Sequence, residues 1–305
     1  MTGKGGTGKT TIAAALALLA ARSGRRVLCV EVDAKGDLSR ALDAEPVGFS
    51  PHLVQPNVSA LALHPEDALQ EYLRIYFKVP RFTRLTPLVR VFDFIANGVP
   101  GMREMLVIGK IAYEEKRLQD GRPAWDVIVV DAAATGHVLL QLQAARAMMD
   151  LAPGGVIRSQ TEWIDRTLTD PARTLLTICA LPEEMPVVEA IELHDWVEEG
   201  THVGLGACFL NGTFPVPVTA REAALVERLA ADHAAEAEAR LGGDVAPVLE
   251  GVRIARRLHE DSRRHARHLR AAMTVPVLEV PRQIGLEPGL ATTAAVADAL
   301  GGSAA

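Results

Sequence analysis

Short runs of consecutive apolar residues recur along the chain, separated by longer stretches in which apolar positions return every three or four residues. The short runs, at 26–33, 58–63, 126–131, 174–181, 204–211 and 275–280, have the length and composition of strands buried on both faces. The longer stretches, at 10–22, 66–77, 102–118, 137–149, 183–198, 221–240 and 253–273, carry helical periodicity. Alternation of the two predicts an α/β fold, a mostly parallel central sheet with helices on both faces. The intervals 65–122 and 150–172 exceed what a plain crossover needs and are expected to form a helical subdomain beside the sheet. No repeat, low-complexity tract or linker divides the chain, so 1–305 reads as a single domain with those two insertions.

Composition refines this picture. Aromatic residues make up only 4% of the chain, so the core must be built from Ala, Leu and Val. The net charge of −6 argues against wholesale nucleic-acid binding. The three cysteines, Cys29, Cys179 and Cys208, each lie inside an apolar run, and no Cys/His spacing suits a metal. Buried thiols in odd number fit a reducing, cytoplasmic setting. Lys4 and Lys9 followed by IAAALALLAA imitate a signal peptide, but the apolar run is short and leads straight into a strand, VLCVEVD.

The chemistry is concentrated at the front. Residues Gly3-Lys4-Gly5-Gly6-Thr7-Gly8-Lys9-Thr10-Thr11 contain the spacing G-x-x-x-x-G-K-[ST] of a phosphate-binding P-loop. Its glycines let the backbone turn tightly and aim N–H groups at phosphate oxygens, and the helix that follows adds the positive end of its dipole. Lys9 is expected on the β- and γ-phosphates of ATP, and the Thr10 hydroxyl on Mg²⁺. Asp131 closes the apolar strand WDVIVVD and is expected to hold Mg²⁺ through a water. Asp33, at the carboxyl end of an earlier strand, stands where such sheets bind ligands. A glycine loop of this kind follows a strand, yet only Met1 and Thr2 precede Gly3; either that first strand is absent or, as expected of a strand central to such sheets, it is encoded upstream.

With Lys4, the loop G-K-G-G-T-G-K-T-T resembles the deviant Walker form shared by the MinD and ParA ATPases, nitrogenase reductase, and the arsenite-pump and tail-anchored-protein-targeting ATPases. The resemblance implies that Lys4 reaches the phosphates of a facing subunit's nucleotide. It also implies that Asp33, opening D-A-K-G-D-L-S, positions the attacking water. The segment Asp131-Ala-Ala-Ala-Thr135-Gly136-His137 is similar to the D-T-A-P-T-G-H switch of the arsenite-pump and targeting ATPases, with Ala132 and Ala134 in place of Thr and Pro. Gly98-Val-Pro-Gly101 with Glu104 looks like that family's P-G-x-x-E segment. LNGTF at 210–214 and VPVLEVPRQ at 275–283 resemble its adenine-binding strand ends, which implies that Asn211 and Pro281 contact the base.

Departures narrow the match to shorter bacterial members. There is no C-x-x-C for a dimer zinc, no cysteine cluster for metalloid, and too few cysteines for an iron–sulfur cluster. The Met-rich client insert shrinks to about 154–170, without methionine. The resemblance thus implies an ATP-hydrolysing switch, a homodimer or paralogous heterodimer that opens and closes around a protein client. Three rivals stand beside it: an arsenite-efflux energising subunit on a membrane pump, a spatial-organisation ATPase like MinD or ParA, and a nucleotide-binding module without turnover. The helix at 253–270 carries seven arginines and an apolar stripe (Ile254, Leu258, Ala266, Leu269, Met273), which reads as a packed helix with a solvated basic face. An acidic partner or anionic membrane surface is its alternative reading.

Overall fold

The computed structural model describes residues 1–32, 35–77, 102–151, 154–216, 218–244 and 246–303. Each apolar run identified in the sequence is a strand. β1 (Val27–Glu31), β3 (Val58–Ala62) and β6 (Val127–Asp131) pair in parallel, and β2 (His52–Gln55) adds an antiparallel edge, in the order β2-β3-β1-β6. β7 (Leu175–Ala180), β8 (Gly204–Thr213) and β9 (Val277–Pro281) form a second parallel sheet, in the order β7-β8-β9. A two-stranded hairpin, β4 (Leu118–Gln119) and β5 (Arg122–Pro123), stands apart.

Met1 and Thr2 join the two sheets. The Met1 amine donates to Val130 O (2.9 Å) and Met1 O accepts from Ala132 N (3.0 Å). On the other side Thr2 N donates to Thr177 O (2.9 Å), and Cys179 N donates to Thr2 O (2.7 Å). These two residues therefore take a strand position between β6 and β7, parallel to β7, and the glycine loop leaves from the middle of the assembled sheet. Beside Met1 lies a cavity of about 200 Å³ walled by Ile128, Val130, Leu175 and Leu176.

α1 (Lys9–Arg22) is the helix on which the site is mounted. Ala14, Ala17 and Ala21 pack with Val27, Cys29, Leu38 and Val58, while Ala13 and Ala15 pack with Phe209, Val296, Ala297 and Leu300. A helix apolar on so much of its circumference must be enclosed. Alanine, which favours helix and takes little space, lets α1 lie close to the sheet on one side and to α11 (Leu290–Ser303) on the other. That packing compensates for the shortage of aromatics.

α2 (Asp37–Ala41) follows β1. α3 (Pro65–Phe77), α4 (Met102–Lys116), α5 (Thr135–Leu151) and α6 (Gly155–Thr169) pack on one another beside the first sheet, with Ile108, Ala112, Ala145 and Ile164 in a shared core. The P-G-x-x-E segment at 98–101 lies outside the described residues, and Glu104 falls in the first turn of α4. α7 (Glu184–Gly200) covers the second sheet through Val187, Ala190, Leu193 and Val197.

Three expectations need correction. The helix at 221–240 is two, α8 (Ala220–Asp232) and α9 (Ala234–Leu241), broken at His233, whose φ of −137° and ψ of 25° lie outside the helical region. α10 (Ala246–Ala272) begins seven residues earlier than 253. Its apolar stripe is only half buried: Ala266, Leu269 and Met273 are enclosed, but Ile254 is 50% exposed. Of its arginines, Arg253, Arg256, Arg264 and Arg270 pair with Glu227, Glu260, Asp261 and Glu279, which suits a solvated face. Among the described residues no helix is long and apolar enough to cross a membrane.

Candidate nucleotide site

The strands deliver their chemistry to one edge. Glu31 ends β1, Asp131 ends β6, Thr2 runs into the glycine loop, and Asn211 lies near the end of β8. That is the carboxyl edge of a parallel sheet, where ligands of such folds bind. A cavity of about 850 Å³ opens there, walled by Gly5, Gly6, Gly8, Lys9, Thr10 and Thr11 of the loop together with Asp131.

Two of the loop's glycines are required by contact as well as by conformation. At Gly3, φ is +147° and a Cβ would stand 2.1 Å from the Cys179 carbonyl oxygen. At Gly8, φ is +84° and a Cβ would stand 2.2 Å from the Asn211 amide nitrogen. Both are backbone conformations that a side chain disfavours. The loop is then held by its own carbonyls. Lys4 O accepts from the Thr7 hydroxyl (2.9 Å) and from Lys9 Nζ (3.0 Å), and Thr7 O accepts from Asn211 Nδ2 (2.8 Å) and Cys179 Sγ (3.3 Å). Lys9 thus lies folded over the loop with its ammonium on a carbonyl, a contact that a phosphate anion can replace.

Thr10 donates its hydroxyl to Asp131 Oδ2 at 2.6 Å. Asp131 is 7% exposed, and its Oδ1 is buried with no hydrogen-bond partner among the described residues. Burial pushes the Asp131 carboxyl above the usual carboxylate range, against the opposing pull of the Thr10 hydroxyl. An idle buried oxygen on a carboxylate that holds a threonine hydroxyl, both residues on the wall of a cavity shared with the glycine loop, fits a hydrated hard divalent cation. Thr10 and Asp131 are the residues that would hold Mg²⁺, which when bound supplies positive charge to the phosphate oxygens.

Lys4 points elsewhere. Its Nζ pairs with Glu189 Oε1 of α7 at 2.5 Å, with both side chains about a third exposed. Asn211 spends its amide on the loop, and neither it nor Pro281 lies on the cavity wall; Gln283, Leu286 and Pro288, just beyond Pro281, do. Asp33 lies outside the described residues. The sequence reading missed Glu31, Arg40, Asp43 and Glu189. For Glu31 a signal existed: an acid inside an otherwise apolar strand, VLCVE.

Thr2 donates its hydroxyl to Ala133 O (3.0 Å), so the chain after Asp131 is tied to the residues preceding the loop. The three thiols are separated. Cys29 packs under α1, and Cys179 and Cys208, on adjacent strands, pack into cores on opposite sides of the second sheet. Burial raises all three, Cys179 to about 11 and Cys208 to about 12.

A glycine loop leaving the centre of a parallel sheet into an enclosed helix, with a threonine and a strand-end aspartate side by side, defines a P-loop NTPase fold. Residues 1–152 match the model of the anion-transporting ATPases. It is 34% identical over 221 residues to the ATPase BagA of Mycobacterium tuberculosis, covering 70% of this chain and 64% of that protein. It is 29% identical over 246 residues to an arsenical pump-driving ATPase of Escherichia coli, covering 73% of this chain and 40% of that protein. A putative arsenical pump-driving ATPase of Halobacterium salinarum is 31% identical over 228 residues, 66% of this chain and 34% of its own length. The chain therefore spans less than two thirds of these relatives.

Proposed function

We propose that this chain binds MgATP in the cavity at the sheet edge, hydrolyses it, and uses the cycle to open and close a cytoplasmic dimer around a protein client. The observation that carries the nucleotide part is the convergence on one cavity of the loop glycines, Lys9, Thr10 and Asp131, whose second carboxylate oxygen is buried and idle. In hydrolysis, water oxygen bonds to the γ-phosphorus while the bond to the β–γ bridging oxygen breaks, leaving ADP and phosphate. Loop N–H groups and Lys9 would offset the charge on the phosphoryl oxygens, and Asp33 would orient the water. The dimer and the client rest on the resemblance of the loop around Lys4 and of the segment after Asp131.

The test is calorimetry. Lys9→Ala removes the one loop cation whose carbonyl contact a phosphate replaces, and it is expected to abolish tight MgATP binding. Unchanged affinity would overturn the assignment of this cavity to nucleotide.

The names of the relatives favour a second reading, an ATPase driving an arsenical pump. Soft metalloid needs converging thiolates. Here the thiols sit in three separate cores, and burial keeps them protonated. Arsenite is therefore expected neither to bind nor to stimulate turnover. Arsenite-stimulated phosphate release that is lost on replacing any of Cys29, Cys179 or Cys208 would reinstate the pump reading.

A further inference from the structure

Glu31 is a buried carboxylate on the cavity wall that the P-loop reading does not use. It is 3% exposed, at the end of a strand whose other residues, Val27 to Val30, are all buried and apolar. Its Oε1 accepts from the backbone N–H of Asp37 (2.9 Å) and Leu38 (3.4 Å), at the start of α2. Its Oε2 is buried with no hydrogen-bond partner among the described residues, the same condition as Asp131 Oδ1.

The two carboxylates are neighbours by construction. Glu31 and Asp131 are register partners on the parallel strands β1 and β6, so their side chains leave the sheet on the same face. Both line the cavity. A carboxylate serving only as a helix cap uses one oxygen and turns the other to water. Here the second oxygen is enclosed beside another anion, an arrangement that burial and mutual repulsion both disfavour unless a cation joins it. A hard divalent ion taking one or two carboxylates together with substrate phosphate is the cation these donors suit.

Resting on the nucleotide reading above, we propose that Glu31 is a second protein carboxylate of the divalent-cation site, acting beside Asp131 and Thr10. Through its other oxygen it ties the metal to the backbone at Asp37 and Leu38. Occupancy of the site is thereby felt at the start of α2, a segment that itself lines the cavity through Asp37, Arg40 and Ala41.

The test compares ADP binding by calorimetry in excess Mg²⁺ and in chelator, with Mn²⁺ affinity of the ADP complex measured by electron paramagnetic resonance. Glu31→Gln keeps the size and an oxygen for the Asp37 N–H but removes the charge. It is expected to weaken Mn²⁺ binding about 10–100-fold. Metal-free ADP affinity should stay level or tighten, because an anion facing the phosphates is gone. A structural role would not produce this split. Mn²⁺ affinity within twofold of wild type, or equal losses of ADP affinity with and without metal, overturns the proposal. Should Glu31→Gln not fold, Glu31→Ser removes the charge and leaves room for water at the Asp37 N–H, and the same comparison applies. Failure of the wild type to bind ADP in either condition overturns the nucleotide reading and this inference with it. Normal wild-type binding with an unchanged metal dependence in the variants overturns this inference alone.

Discussion

Lys4→Ala is expected to cut ATP turnover about 10³–10⁵-fold, the worth of a cation supplied to the transferring phosphoryl group from across an interface. ATP binding should largely survive, since Lys9, the loop N–H groups and the metal residues are untouched. In the monomer Lys4 is paired with Glu189, and the magnitude of that pair decides whether it matters. A partly exposed ion pair contributes about 0–1 kcal/mol, so a phosphate anion outcompetes it readily. Glu189→Gln should accordingly leave turnover within a few-fold of wild type. Equal losses in Lys4→Ala and Glu189→Gln, measured as phosphate release at saturating MgATP, would show that Lys4 serves the fold rather than the reaction.

Asp33→Asn is expected to slow hydrolysis about 10²–10⁴-fold while leaving MgATP affinity nearly intact, the signature of losing a water-orienting group. Wild-type turnover in this variant would remove Asp33 from the reaction. The two variants together test which subunit supplies Lys4. If Lys4 crosses the two-fold axis, a mixed dimer of Lys4→Ala and Asp33→Asn subunits has one site with both defects and one with neither. If Lys4 acts in its own subunit, each site keeps one defect. With exchange verified, an equimolar mixture should recover about a quarter of wild-type turnover in the first case, half the dimers being mixed and each with one good site. No recovery would place Lys4 in its own subunit's site.

The strands were legible because burial on both faces demands an unbroken apolar run, a local property of the chain. β2 carries no such run. Leu53 is 74% exposed, and the strand exists because it pairs with the edge of β3. α11 escaped for a similar reason: LATTAAVADALGGS is small-residue sequence whose helix is selected by close packing on the alanines of α1. The break at His233 interrupts a helical pattern that runs on through it, so periodicity alone could not locate it.

What the sequence by itself determined is the contiguous chemistry: the glycine loop with Lys9 and Thr10, and an acid closing an apolar strand at Asp131. Spacing suffices there because the loop's function depends on consecutive backbone N–H groups. What only the tertiary structure decided are the pairings between distant residues. Thr10 meets Asp131 across 121 positions, Lys4 meets Glu189 across 185, and Asn211 braces Thr7 across 204. Glu31 stands beside Asp131 because β1 and β6 pair in that register and no other. In a parallel sheet a one-residue slip sends a side chain to the opposite face. Whether a buried acid faces a cavity or a core is therefore settled by strand pairing, which the local pattern does not encode.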